Sequence, residues 1–240
     1  MSTLFISDLH LDESHPDIIE QFLSFLRDEA AGAEALYILG DLFEAWVGDD
    51  DPQPEKKRVI QALRELRNGG PACFFMQGNR DFLTGRIFAV KAGIRMLPDP
   101  SVIDLYGRRV LLMHGDTLCT DDEEYQSFRR MVRDPQWQQQ FLSQPLEHRI
   151  AMARQARDAS RQHTGAADAR IMDVNAEAVV KAMSTASVDT LIHGHTHRPA
   201  IHHLTVDDRP ATRFVLGDWY TQGSVLRWER DGYSLDALPR

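Results

Sequence analysis

Seven residues of the chain carry side chains that bind divalent metals, and they fall in five short groups. These are Asp8-Leu9-His10, Gly40-Asp41, Gly78-Asn79, His114-Gly115 and Gly194-His195-Thr196-His197. Carboxylate oxygen, amide oxygen and imidazole nitrogen together suit manganese, iron or zinc, and the lack of a nearby thiolate argues against a structural zinc. Seven donors are too many for one catalytic ion that must keep a position open, whereas two ions sharing a carboxylate use them all. Such ions, about 3.5–4 Å apart, clamp an in-line displacement at phosphorus and draw the pKa of water from about 15.7 towards about 7. Taken singly, Asp-x-His and Gly-Asp are common turn fragments. Their joint occurrence, in order, points to a two-metal site.

The elements that must position these groups are also legible. Each group follows a short apolar run rich in strand formers: Leu4-Phe5-Ile6, Ala35 to Leu39, Cys73 to Met76, Val110 to Met113, and Thr190-Leu191-Ile192. Helices are expected between them. Pro16 to Ala30 sets Ile18, Ile19, Phe22, Leu23, Phe25 and Leu26 on one stripe, Pro54 to Asn68 closes at Gly69-Gly70, and Asn175 caps a helix over Ala176 to Met183. Strand, loop and helix in repetition predict an α/β sheet, whose ligands gather outside the carboxyl ends of the strands.

The remaining residues set the context. A chain of 240 residues, 42% hydrophobic and 26% charged, can bury a sizeable core, and its net charge of −9 argues against a broad nucleic-acid footprint. Cys73 and Cys119 are too few for a disulfide framework and are expected to be reduced and buried. No basic leader precedes Asp8 and no apolar stretch approaches the length of about 18 residues that spans a bilayer, so a soluble or membrane-surface protein is expected. His15, His148, His163, His202 and His203 are read as solvated, His193 as a packing or orienting residue, and Glu44, Asp49, Asp50 and Asp51 as a solvated acidic loop.

The order Asp-x-His, Gly-Asp, Gly-Asn, His, Gly-His-x-His resembles the calcineurin-like metallophosphoesterases. That resemblance implies a four-layer αββα sandwich. Where most of that superfamily has Gly-Asn-His, this chain has Gly78-Asn79-Arg80-Asp81, which removes a histidine credited with helping the leaving group and puts a fixed cation there. The longer blocks Leu36 to Trp46, Gly78 to Leu83, Met113 to Asp122 and Ile192 to Ala200 resemble the UDP-2,3-diacylglucosamine hydrolases of Gram-negative lipid A biosynthesis. The similarity covers nearly the whole chain. It implies two manganese ions, one held by Asp8, His10, Asp41 and His197, the other by Asp41, Asn79, His114 and His195, with Asp41 bridging. It further implies water attack on the α-phosphorus of UDP-2,3-diacylglucosamine, giving UMP and 2,3-diacylglucosamine 1-phosphate. Asn79, Arg80, Asp122, Ser160, Thr164 and His195 would contact this substrate, and the enzyme would sit peripherally on the cytoplasmic side of the inner membrane. Thr164 and Ala167 depart from the family, which usually has an amide and a lysine there. For Arg80 the alternative is a surface salt bridge with Asp81.

Residues 121–164 read as mostly helical and interrupt the strand–helix rhythm, so they are expected to form an insertion into a core of 1–120 and 165–240. From Arg129 to Arg161 this stretch holds seven arginines against three acids, with Arg154, Arg157 and Arg161 on one helix face. Phe128, Met131, Val132, Trp137, Phe141, Leu142, Leu146 and Ile150 add apolar surface. An amphipathic helical pair packed on the core would have this pattern, and so would a lid for an anionic, diacylated substrate. Another phosphoesterase acting on a nucleotide or phosphoprotein, or a non-catalytic scaffold, are the competing functions.

Overall fold

The structure, a computed structural model, describes residues 1–166, 173–220 and 222–239, with only the backbone for 161–166. Eleven strands are present among them: β1 (Thr3–Ile6), β2 (Ala35–Leu39), β3 (Ala72–Met76), β4 (Arg95–Leu97), β5 (Ser101–Leu105), β6 (Arg108–Leu112), β7 (Thr190–His193), β8 (Ala200–Val206), β9 (Arg209–Val215), β10 (Gly223–Glu229) and β11 (Gly232–Leu238). They form two sheets, in the orders β11-β10-β1-β2-β3-β4 and β5-β6-β7-β9-β8. β1 to β4 run parallel, as do β6, β7 and β9, while β10, β11, β5 and β8 pair antiparallel at the margins.

Period-two alternation along the central strands builds the layers. In β1, Leu4 and Ile6 join the apolar cluster under the helices, while Phe5 joins the cluster between the sheets. β2 repeats this with Leu36 and Ile38 on one side and Tyr37 and Leu39 on the other. On the second sheet, Val110, Leu112 and Ile192 face inward, and Leu111 and Leu191 meet the opposite helical layer. Phe5, Tyr37 and Phe74, register neighbours on β1, β2 and β3, stack along the inner face of the first sheet, with ring centroids 5.0 and 4.5 Å apart. The result is the expected αββα sandwich.

Seven α-helices lie among the described residues: α1 (Pro16–Asp28), α2 (Pro54–Gly69), α3 (Arg86–Ala92), α4 (Glu123–Val132), α5 (Pro135–Leu142), α6 (Leu146–Ala166) and α7 (Ala176–Ala186). α1 buries the six stripe residues but ends at Asp28, where a 3-10 turn over Ala30–Gly32 takes over. α2 closes at Gly70 with φ 134°, a conformation open to glycine and strained for other residues. The Asn175 side chain accepts from the N–H groups of Glu177 and Ala178, the expected cap, and α7 runs on past Met183 until Ser187 turns left-handed. α1 to α3 cover the first sheet and α7 the second.

α4 to α6 occupy 123–166. Phe141 is buried in the cluster under the first sheet, and Trp137, Leu146, Ile150 and Ala153 pack against it. Val132 is buried too, whereas Phe128, Met131 and Leu142 stay exposed. The apolar residues of this segment thus divide between core packing and solvent. Arg161, His163 and Thr164 have side chains outside the described residues, and Ala167 lies outside them altogether.

Candidate metal centre

The five ligand loops converge where the carboxyl ends of β1, β2, β3, β6 and β7 meet, so donors come from both sheets. Reaching that point takes unusual backbone. Asp8, His10, Asp41, His195 and His197 all have positive φ, between 49° and 70°. Non-glycine residues held there carry strain of about 1–3 kcal/mol each, which persists only where the surroundings fix it. Close approach of the loops does the fixing. A Cβ on Gly40 would stand 2.7 Å from the Gly78 Cα, and one on Gly194 would run into Ser7 and Asp8.

The donor atoms face one another. His10 Nε2 lies 3.2 Å from His197 Nε2 and 3.8 Å from Asp41 Oδ2. His114 Nε2 lies 3.8 Å from Asp41 Oδ1, so Asp41 turns one oxygen to each side, as a bridge requires. Asn79 Oδ1 sits 2.9 Å from both His114 Nε2 and His195 Nδ1. Asp8, His10 and His197 form one cluster able to hold a cation, and Asp8, Asp41 and His114 a second. Asp8 Oδ2 accepts from Ser7 Oγ and His195 N, but buried Oδ1 has no hydrogen-bond partner and points to His197 Nε2 at 3.4 Å. A buried carboxylate oxygen without a hydrogen bond, set among imidazole nitrogens, is one that a cation would satisfy, and the donor set fits divalent metal.

Outer contacts fix which ring nitrogen is free. His10 Nδ1 is 3.0 Å from Glu44 Oε2, and His114 Nδ1 is 2.8 Å from the Leu39 carbonyl. Each acceptor favours a proton on Nδ1, so that the neutral ring turns its Nε2 lone pair to the centre. Burial opposes ionisation of Asp8, yet the neighbouring His197, with His114 and His10, holds it electrostatically below the usual carboxylate range. For His114, burial is outweighed by Asp41, Asp116 and Asp8, which raise it to about 9. A metal therefore has to displace its proton. Burial, then the charge of His114, lowers His195 to about 4, so it is neutral and able to ligate.

Several readings of the sequence need correction. The acidic loop is not simply solvated. Glu44 is buried against His10, and Asp49 accepts from Trp46 Nε1 and from the N–H groups of Gly85, Ile87 and Phe88. Asp51 meets Lys56 at 2.6 Å, and only Asp50 is exposed, paired with Arg149. Asp81 is likewise no surface partner for Arg80. Fully buried, it accepts from the main-chain N–H groups of Asp41, Leu42, Phe43 and Gly78, tying two ligand loops together. Burial and the charge of Asp41 push its carboxyl up to about 7. His193 is fully buried and neutral, lowered to about 3 by burial, and touches the Gly194 carbonyl, in keeping with an orienting role. His15, His148, His202 and His203 are exposed, and both cysteines are buried and free.

Arg80 is half-buried; its N–H donates to Asp41 Oδ1 at 2.8 Å, and its charge reaches Glu44 and Tyr220. Asp122 caps α4 by accepting from Tyr125 N, and Ser160 is half-buried on α6. Three contacts escaped the sequence. Tyr220 stacks on His10 with centroids 5.3 Å apart, the Tyr125 ring lies 5.8 Å from that of His195, and buried Asp116 accepts from Tyr125 Oη and Arg129 Nε. Asp116 follows His114 within the same motif, the one signal that marked it.

A family model described as calcineurin-like phosphoesterase matches residues 1–199. A curated protein of Stenotrophomonas maltophilia named UDP-2,3-diacylglucosamine hydrolase is 57% identical over 247 residues, covering 100% of each chain. One of the same name from Xanthomonas axonopodis pv. citri is 55% identical over 245 residues and 99% of each chain. The chain belongs to the calcineurin-like phosphoesterases and, within them, to the family of the UDP-2,3-diacylglucosamine hydrolases.

Proposed function

We propose that the chain hydrolyses the pyrophosphate bond of UDP-2,3-diacylglucosamine by water attack on the α-phosphorus. The products are UMP and 2,3-diacylglucosamine 1-phosphate, in lipid A biosynthesis. Two manganese ions serve it, held by the ligand sets given above, and it works at the cytoplasmic face of the inner membrane. The observation that carries the metal reading is the convergence of carboxylate and imidazole donor atoms, among which buried Asp8 Oδ1 has no hydrogen bond. The relatives' name carries the substrate.

When bound, paired divalent ions supply Lewis-acid polarisation of the phosphoryl oxygens and acidify water. The chain's residues do the rest. Asp41 spans both ligand sets, and its contact with the Arg80 N–H fixes Arg80 beside the reacting phosphate. The Arg80 guanidinium, always charged and planar, grips that phosphate through two hydrogen bonds. Asn79, Asp122, Ser160, Thr164 and His195 contribute further contacts. Residues 121–164 act as a lid whose exposed apolar side chains meet the acyl chains.

Turnover in ¹⁸O-water, with detergent and manganese, tests the reaction. Label in UMP is the expected result. Label in the sugar phosphate moves the attack to the other phosphorus, and no UMP at all overturns the substrate.

A further inference from the structure

The chain is acidic, with a net charge of −9, yet α2 and α3 together hold seven lysines and arginines against two glutamates. Lys57, Arg64, Arg86 and Lys91 are exposed. Lys57, Arg86 and Lys91 make no ion pair among the described residues. Arg64 lies across to α3, donating to the Val90 carbonyl at 3.2 Å, so the two helices present one surface.

Apolar side chains stand out from that surface. α3 reads Arg-Ile-Phe-Ala-Val-Lys-Ala: Phe88 and Ala92 are buried, while Ile87 and Val90, one turn apart, are 55% and 63% exposed. Apart from Met1 these are the most exposed large hydrophobics among the described residues. Beside them an open groove of about 410 Å³ runs between the helices, floored by Trp46, Ile60 and Phe88 and rimmed by Lys57, Arg64 and Lys91. Of the acids nearby, Asp49 holds the start of α3 and Asp51 meets Lys56, which leaves Glu65, accepting from the neutral Gln61, as the exposed acid of the groove.

Cations around protruding aliphatic side chains, on a protein otherwise negative, match an anionic bilayer: aliphatics enter the headgroup–acyl boundary and lysines and arginines sit at the phosphates. We infer that α3, with the basic face of α2, is the surface that docks this protein on anionic membrane, apart from the metal centre and from the exposed apolar residues of α4. The inference rests on the proposed lipid-linked substrate only for its purpose. Docking is measured on vesicles and does not depend on turnover.

The test is flotation of the full chain with phosphatidylglycerol–phosphatidylethanolamine vesicles and with pure phosphatidylcholine vesicles, followed by hydrolysis of the substrate in detergent micelles. Binding is expected on the anionic vesicles alone and should fall as salt rises. Ile87→Ser/Val90→Ser should weaken it by roughly tenfold. Lys57→Glu/Lys91→Glu should weaken it by at least about fivefold for each cation removed. Both variants should keep wild-type turnover in micelles and their melting temperature, whereas Phe128→Ser/Met131→Ser should still float. Equal binding to neutral vesicles, no binding of wild type, or loss of flotation only in the Phe128 and Met131 variant would overturn the inference. Loss of micellar turnover in wild type would fault the proposed reaction and leave the docking result standing.

Discussion

The strand-end loops and the helical segment over them are held by opposite means. In the loops the ligands are mostly buried, five take left-handed backbone, and Asp81, Glu44 and the Leu39 carbonyl fix their orientation. Helices α4 to α6 are fastened at fewer points. Arg129 meets Asp116, Arg133 donates to the Gly78 carbonyl, and Arg149 donates to the Val47 carbonyl and pairs with Asp50. Phe141 and Trp137 dock on the core, while Phe128, Met131 and Met152 are 42%, 49% and 47% exposed. A centre that must present ions in one geometry is over-determined, while a surface that must accept flexible chains leaves apolar groups unsatisfied. These three arginines, with Arg157 beside Glu44, join the two.

The sharpest break of this contrast is at Asp41. Asp41→Ala should lower turnover by roughly 10⁴-fold, more than loss of any single histidine, because it serves both ligand sets. Near-normal activity in that variant, with metal still bound, would remove the bridging role. Next comes Phe141. Its burial predicts a loss of about 3–5 kcal/mol for Phe141→Ala in denaturant unfolding, whereas Phe128→Ala should stay within about 0.5 kcal/mol. The Phe128 variant should instead lose efficiency on the diacylated substrate and keep it on a small chromogenic phosphodiester. Equal losses on both substrates would make α4 plain scaffold.

Arg80→Ala tests the junction. Losing a charge-assisted contact to the reacting phosphate costs about 2–4 kcal/mol, roughly 30- to 1000-fold in kcat/KM, with metal content unchanged. A drop in bound metal would instead assign Arg80 to the loop that carries Asn79. The smallest effect is expected at Glu44. Glu44→Gln keeps the shape but weakens the hold on the His10 Nδ1 proton, so manganese affinity should fall by about 10- to 100-fold while the melting temperature of the metal-free protein barely moves. Unchanged affinity would take from Glu44 its role in holding His10 for the metal.

The central strands and their ligands were legible because continuous apolar runs ending in Asp, Asn or His are rare outside buried parallel strands. The marginal strands were not. β8 reads Ala-Ile-His-His-Leu-Thr-Val and β11 Gly-Tyr-Ser-Leu-Asp-Ala-Leu, both largely solvent-facing, and such antiparallel edges carry little apolar signal. The alternative that paired Asp81 with Arg80 came from their adjacency in sequence, while the actual partners of Asp81 are main-chain groups, most of them in another loop. Glu44 was misread because acids crowded in a loop look alike until the fold brings His10 against one of them. Tyr220 lies between β9 and β10, far in sequence from the rings it stacks on, and no local pattern marks it.

The central claim is that this centre works with two ions. Protein stripped by chelator is titrated with manganese, and bound metal and UMP release are read on the same samples. The account predicts two ions per chain, no turnover in the stripped sample, and activity that appears with the second ion. Saturation at one ion with full activity, or full turnover in the chelated protein, would contradict it.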